Sequence, residues 1–234
     1  MTRLTIKKLH DIIGITPDIP GYGVNFGPKS REKLNSFMSN KKAPALTEQD
    51  FQKAAAELDV PVGHIKGIRI VEAPRGAFDD FGRPTNLHER HKFRNNTNPK
   101  GKFDKSNPDL SGGPYGRGGY GAYSAQFDKF LRACSLDPHA AFCASSWGAF
   151  QVMGENYADM GYSSVDEMVF SLVQSEAAHL ETAVRYVKMR SLQDELRACK
   201  ANNPQSCVGF VKAWNGPAFA QFNYHKKFAA AIAS

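Results

Sequence analysis

The chain has 234 residues, of which 41% are hydrophobic and 23% charged, so a core of ordinary size is available and extensive disorder is excluded. No apolar run approaches the roughly 18 residues of a membrane span, and mean hydropathy is -0.45. The net charge of +7 and a pI of about 9.2 favour anionic partners (nucleic acid, anionic lipid or a bacterial envelope) without choosing among them.

Met1 to Lys8 contains no apolar stretch of signal-peptide type, so no secretory signal is expected. Leu4, Leu9, Ile12 and Ile13 then predict a short amphipathic helix ending at Gly14. A Pro/Gly-rich turn follows over 16–23, and Pro28 opens a second helix whose apolar face carries Leu34 and Phe37. Two short helices around a glycine turn bury little surface, the hallmark of an appended binding unit over residues 1–43. Residues 44–47 read as a linker and residues 48–234 as the main domain.

Thr47 and Asp50 form a helix start that continues through Phe51, Ala54, Ala55 and Leu58. A further helix runs from about Pro61 to Glu72, with Ile65, Ile68 and Val71 at helical spacing and Pro74 and Gly76 as its stop. Leu87, Glu89, His91 and Phe93 alternate as on one face of a strand. A polar loop fills 95–110, and 111–123 is rich in Gly and Tyr around Arg117. The remainder is helical: 123–133, 138–142, one long apolar stripe over 165–189, 208–214 and 219–232. The fold class is mainly α, an α+β arrangement with a small β wing.

Three carboxylates stand out. Glu72 closes an apolar helix, where the negative end of the helix and apolar surroundings disfavour ionisation and raise its pKa, as a general acid requires. The competing reading is an exposed helix-end Glu paired with Arg69 or Arg75. Glu89 lies on the strand face and needs a partner, such as His91 or Arg90, or a purpose. Glu176 falls inside the apolar stripe, either buried in an ion pair or bordering a cleft. His88 and His91 lie on opposite strand faces, so no metal site is expected.

The Gly/Tyr/Arg stretch has the composition of a nucleic-acid segment, although its position inside a domain favours a loop beside a cleft. Ser145 to Gly154 combines Trp147, Gln151 and two glycines, groups suited to a sugar ring, and Trp214-Asn215-Gly216-Pro217 repeats the theme. Core tryptophans are the alternative in both. Cys134, Cys143, Cys199 and Cys207 form no CxxC pair. Two local disulfides, Cys134 with Cys143 and Cys199 with Cys207, and free buried thiols are both open.

Val71-Glu72, Gly82-Arg83-Pro84, His88 to Phe93, Ser146 to Tyr157, Ser175 to Leu180 and Trp214 to Ala218 occur in one order. That order resembles the N-acetylmuramidase domain of modular bacteriophage endolysins, over about residues 48–234. The Gly-x-x-Gln core, Gly148 to Gln151, also looks like the corresponding segment of goose-type lysozymes and lytic transglycosylases. Leu9 to Gly14 and Phe26-Gly27-Pro28-Lys29-Ser30 through Phe37 resemble the peptidoglycan-binding module such proteins carry, without the usual Asp-Gly before Phe26.

The resemblance implies a lysozyme-like fold and hydrolysis of the β-1,4 bond after N-acetylmuramic acid, for host lysis. It places Glu72 as the general acid, with Ala73-Pro74-Arg75 where small, glycine-rich residues are usual. It offers Glu89, then Glu176, as a second carboxylate. Gln151, Asn156, Trp147, Asn215 and Tyr224 become candidate substrate-binding or scaffold residues, and Phe26 and Gly27 candidate cell-wall contacts. The implied partner is bacterial peptidoglycan. Neither nucleic acid nor membrane insertion nor a cofactor is expected, and the protein is expected to act as a monomer. It would be made in the infected cytoplasm and reach the periplasm through holin lesions. The competing functions are a lytic transglycosylase on the same bond and a non-catalytic wall- or nucleic-acid-binding protein.

Overall fold

Local capping chemistry sets several of the helix starts in the computed structural model, which describes residues 3–113 and 120–233. Thr5 caps α1 (Ile6–Ile12) by accepting from the Lys8 N–H, and Pro28 opens α2 (Pro28–Phe37). Thr47 and Asp50 form the expected reciprocal box at the start of α3 (Glu48–Leu58). The helix that carries the candidate acid, α4, spans Val62–Glu72, and the chain turns after it at Gly76, whose φ is +81°.

The predicted strand over 87–93 is a correction. Only Asn86–His88 form β1, and Arg90–Asn96 form α5. The Glu89 N–H still reaches Ala144 O, after which the Phe93 N–H bonds Glu89 O and closes a helical turn. Phe93 packs its ring against His88 and Phe103, a contact that helical winding provides and continued alternation would not. The 165–189 stripe is likewise two helices, α8 (Val165–Ser171) and α9 (Glu176–Met189). Ser175 caps the second by accepting from the Ala178 N–H, so the chain restarts there.

Between these lie α6 (Gln126–Cys134) and α7 (Pro138–Cys143), then two strands not foreseen, β2 (Ser145–Trp147) and β3 (Val152–Met153). The sheet is antiparallel in the order β1-β2-β3, with Asn86 opposite Trp147 and Trp147 opposite Val152. Three short helices finish the chain: α10 (Gln193–Arg197), α11 (Val208–Asn215) and α12 (Tyr224–Ala231). The helix expected over 219–232 is interrupted at Asn223, whose φ is +55°. The architecture is mainly helical with a small three-stranded sheet. Among the described residues no helix is long and apolar enough to cross a membrane. All four cysteines are buried free thiols. Residues 114–119 of the Gly/Tyr/Arg stretch, Arg117 among them, lie outside the described residues.

At the centre, Phe130 meets Trp147 and Phe142 edge-on at 4.8 and 5.0 Å. Trp147 is 1% exposed and donates its indole N–H to Phe142 O, so its ring is core and cannot lie against a sugar, which corrects its place among the substrate contacts. The N-terminal helices join this core. Leu4, Leu9, Leu34 and Met38 are buried in it, Phe37 packs edge-on against Phe170, and Ser135 Oγ donates to Phe26 O. Arg3 pairs with Asp137, and Lys8 Nζ lies 2.9 Å from Asp166. The 44–47 segment is pinned as well, because Pro44 O and the Leu46 N–H both bond to Glu176.

A shared core predicts one cooperative unfolding event. Leu34→Ala is expected to cost about 3 kcal/mol in urea denaturation and to shift fluorescence and circular-dichroism transitions together. A separate early transition in the variant would show that the N-terminal helices unfold alone.

Candidate active site

The last residue of α4, Glu72, is brought to a cleft by a helix whose Ile65 and Ile68 are buried in the core. Arg69 Nη1 donates to Ala73 O at 2.8 Å and closes the helix end. Asn215 Nδ2, at the end of α11, donates to Glu72 Oε1 at 3.0 Å, and Trp214 supplies a second side-chain hydrogen bond. These donors and the more distant Lys227 favour the carboxylate, but burial outweighs them and pushes the Glu72 pKa up to about 7. Tyr224, the first residue of α12, is close enough for the Glu72 charge to add to the burial that raises its own pKa.

Glu72 opens into a pocket of about 180 Å³ that also involves Arg75, Thr85, Tyr123, Ala149 and Gln151. Among the described residues lining it, Glu72 is the only carboxylate. The opposite wall is the turn between β2 and β3. Gly148 has φ +71°, its N–H donates to Thr85 O at 2.7 Å, and a Cβ there would sit 2.3 Å from His179 Nδ1. Gln151 is left-handed too, at φ +49°. Its amide braces the turn, accepting from Ser146 Oγ at 3.0 Å and donating to Gly148 O at 2.9 Å.

His179, which the sequence reading quoted in a motif without giving it a role, holds this turn from behind. Its Nδ1 accepts from the Ala149 N–H at 3.0 Å, so Nε2–H donates to Leu172 O at 2.8 Å. Burial pushes its pKa down to about 4, so the ring stays neutral and the tautomer is set by its two partners. Thr85, Tyr123 and Arg75 were also missed as wall residues. Tyr123 and Thr85 share a side-chain hydrogen bond, and the Arg75 guanidinium lies 4.8 Å from the centre of the Tyr123 ring.

The other candidates sit elsewhere. Glu89 precedes α5 and does not line the pocket; it lies four extended residues, roughly 13 Å, beyond Thr85. Its Oε2 is 3.5 Å from His91 Nε2 and accepts from the Tyr120 hydroxyl at 3.4 Å, and burial raises its pKa. Glu176 is not inside a continuous stripe but begins α9. Its Oε2 accepts from the Leu46 N–H and its Oε1 lies 3.7 Å from Arg69, one turn before Glu72. Asn156 ends a 3-10 turn over Gly154–Asn156 and is absent from the pocket lining.

In the N-terminal unit, Phe26 is 1% exposed and stacked on His10 at 5.6 Å, which corrects its reading as a surface contact for the cell wall. Gly27 lines a separate pocket of about 210 Å³ with His10, Ile15, Pro20, Asn25 and Lys29.

The buried acid carries a stability signature. Between the ordinary carboxyl pKa and about 7, the unfolded chain has released the Glu72 proton while the folded protein keeps it. Stability therefore falls across that window as pH rises, by about 3 kcal/mol in total. Glu72→Gln keeps an oxygen for Asn215 and removes the charge. The variant is expected to gain stability over the wild type at about pH 8 and to lose that advantage near pH 4, read by urea denaturation. An equal offset at both pH values would place Glu72 in solvent.

Residues 61–234 match the model of the N-acetylmuramidase family. The whole chain is also similar to the crystal structure of the Burkholderia AP3 phage endolysin. That match has a TM-score of 0.74 at 25% identity and covers 99% of this chain and 95% of that one. A search of curated protein sequences found no match. Because the family match spans well over half of its length and contains the Glu72 pocket, the chain belongs to the N-acetylmuramidase family of glycoside hydrolases.

Proposed function

We propose that this protein is a phage endolysin that hydrolyses the β-1,4 bond between N-acetylmuramic acid and N-acetylglucosamine in peptidoglycan, with Glu72 as general acid. The observation that carries the reading is the Glu72 carboxyl itself: half-buried at a pocket wall, with a pKa of about 7, and held by Asn215 and Trp214. At neutral pH about half of such groups carry a proton, which suits delivery to a leaving oxygen.

Protonated Glu72 gives its proton to the glycosidic oxygen as the bond to the sugar carbon breaks and that carbon takes on oxocarbenium character. The Asn215 and Trp214 donors then stabilise the carboxylate. Water, oriented by Gln151 and the Thr85 and Tyr123 hydroxyls, adds to the sugar carbon and returns a proton to Glu72. Asn215 and Tyr224 act as positioning residues for the acid. Glu176 acts through Arg69 on the end of α4, and Glu89 and Asn156 are assigned to the scaffold, because none of these three lines the pocket. One observation favours a second reading, a lytic transglycosylase: Glu72 is the only carboxylate among the described lining residues, and a transglycosylase needs only one.

Residues 1–43 are assigned to wall binding through the pocket that Gly27 and Lys29 line, with Phe26 as its buried support. The charge of +7 favours encounter with the anionic envelope. In this reading the protein acts as a monomer, is made in the infected cytoplasm and reaches the periplasm through holin lesions.

Digestion of purified peptidoglycan, with products read by mass spectrometry, tests the reaction. Wild type is expected to release reducing muramic acid ends, and Glu72→Gln to lower that rate at least about 100-fold. Anhydro ends would establish the transglycosylase instead. The rate is expected to fall as pH rises through about 7, because the acid loses its proton there. A rate that keeps rising to about pH 9 would remove Glu72 from the acid role.

A further inference from the structure

The Glu72 pocket does not end at Arg75. Arg75, Thr85 and Tyr123 also line a second pocket of about 210 Å³, which continues past Phe81 to Asp80. Its character differs from that of the first. Phe81 is 59% exposed and Tyr123 39%, so an aromatic surface faces solvent. Two charges of opposite sign border it. Among the described residues neither Arg75 nor Asp80 has an ion-pair partner, whereas neighbouring Asp79 is consumed by Arg83 Nε and by the N–H groups of Phe81 and Arg83.

Resting on the muramidase reading, the chemistry of the polymer decides what such a pocket can take. The glycan strand of peptidoglycan alternates N-acetylglucosamine with N-acetylmuramic acid, and the lactyl carboxyl of a peptide-bearing muramic acid is amidated, so the strand offers hydroxyls and amides but almost no charge. The charges of the polymer lie on the stem peptide that hangs from the lactyl group of muramic acid, as carboxylates and an ammonium group. A guanidinium and a carboxylate that border one pocket, neither with an ion-pair partner among the described residues, next to the proposed position of the cut, match that peptide rather than a further sugar.

We propose that the pocket between Arg75 and Asp80 binds the stem peptide, Arg75 taking a peptide carboxylate and Asp80 facing the ammonium group, so that the enzyme recognises peptide-bearing muramic acid. Arg75 stands at the seam of the two pockets, braced on the Tyr123 ring, and joins recognition of the peptide to the site of cleavage.

The test compares two substrates made from one preparation: intact sacculi, and the same glycan stripped of its peptides by an amidase, with the lactyl carboxylates that the hydrolysis frees then capped as methylamides so that no new charge is introduced. The readout is the ratio of kcat/KM on the first to that on the second, from released reducing ends. Wild type is expected to prefer the peptide-bearing glycan. Arg75→Gln is expected to lower the ratio about tenfold, Asp80→Asn to lower it severalfold, and Arg75→Lys to restore part of it. Both side chains are at the surface, and thermal unfolding of each variant checks that the fold is kept. A ratio that Arg75→Gln leaves unchanged, with both rates falling together or neither, overturns the peptide site and leaves the muramidase reading standing. Wild-type protein that releases no ends from either substrate overturns that reading instead.

Discussion

A carboxyl stays protonated near neutrality only where water is kept from it, and that constraint organises the structure around Glu72. The side chain ends a helix, a place of high exposure in most proteins, so the walls must come from distant parts of the chain. The α11 end brings Trp214 and Asn215, and the start of α12 brings Tyr224. The β2-β3 turn closes the opposite side. The donors on Glu72 work against its protonation, yet they hold it in place and receive the charge once the proton has left. Burial and hydrogen bonding thus oppose each other in the resting state and would cooperate over the reaction cycle proposed for Glu72.

The wall opposite Glu72 rests on one neutral imidazole. His179 touches nothing in the pocket, but its two nitrogens tie the Ala149 N–H to the Leu172 carbonyl and so lock the active-site turn to the break between α8 and α9. The break that interrupts the apolar stripe is what leaves the Leu172 carbonyl free of a helical partner and available to the ring. Glu176 works similarly on the other side, joining the 44–47 segment to Arg69 and through it to the end of α4.

Features with local causes were legible in the sequence. The Thr47-Asp50 box, Pro28 at the start of α2 and the stop after Glu72 are written in adjacent residues. Glu72 and Asn215 could be named from motif order, although their 3.0 Å bond joins residues far apart in the chain. The β2-β3 hairpin was missed because its strands are two and three residues long and largely buried, which leaves no alternation to read. Glu89 was placed on a strand because four residues of alternation fit one as well as they fit the turn into α5. Trp147 and Phe26 were misread for another reason: an aromatic suited to a sugar is equally suited to a core, and only tertiary burial separates the two. Arg75, Thr85 and Tyr123 carry no local signature, since they become a wall only when three segments meet.

The docking of the first helices has a geometric consequence. Arg3, Lys8, Phe37 and the Phe26 carbonyl fasten them directly to α6, α7 and α8 or to the residues flanking those helices, so the pocket near Gly27 and the pocket at Glu72 keep a set separation and orientation. A wall-binding module on a flexible tether searches a volume around its anchor and lets the catalytic domain strike many bonds. A module bolted to the catalytic body behaves as a ruler. In the proposed function each grip of residues 1–43 on the wall would present one offset to Glu72, and the next cut would require the whole molecule to let go and land again.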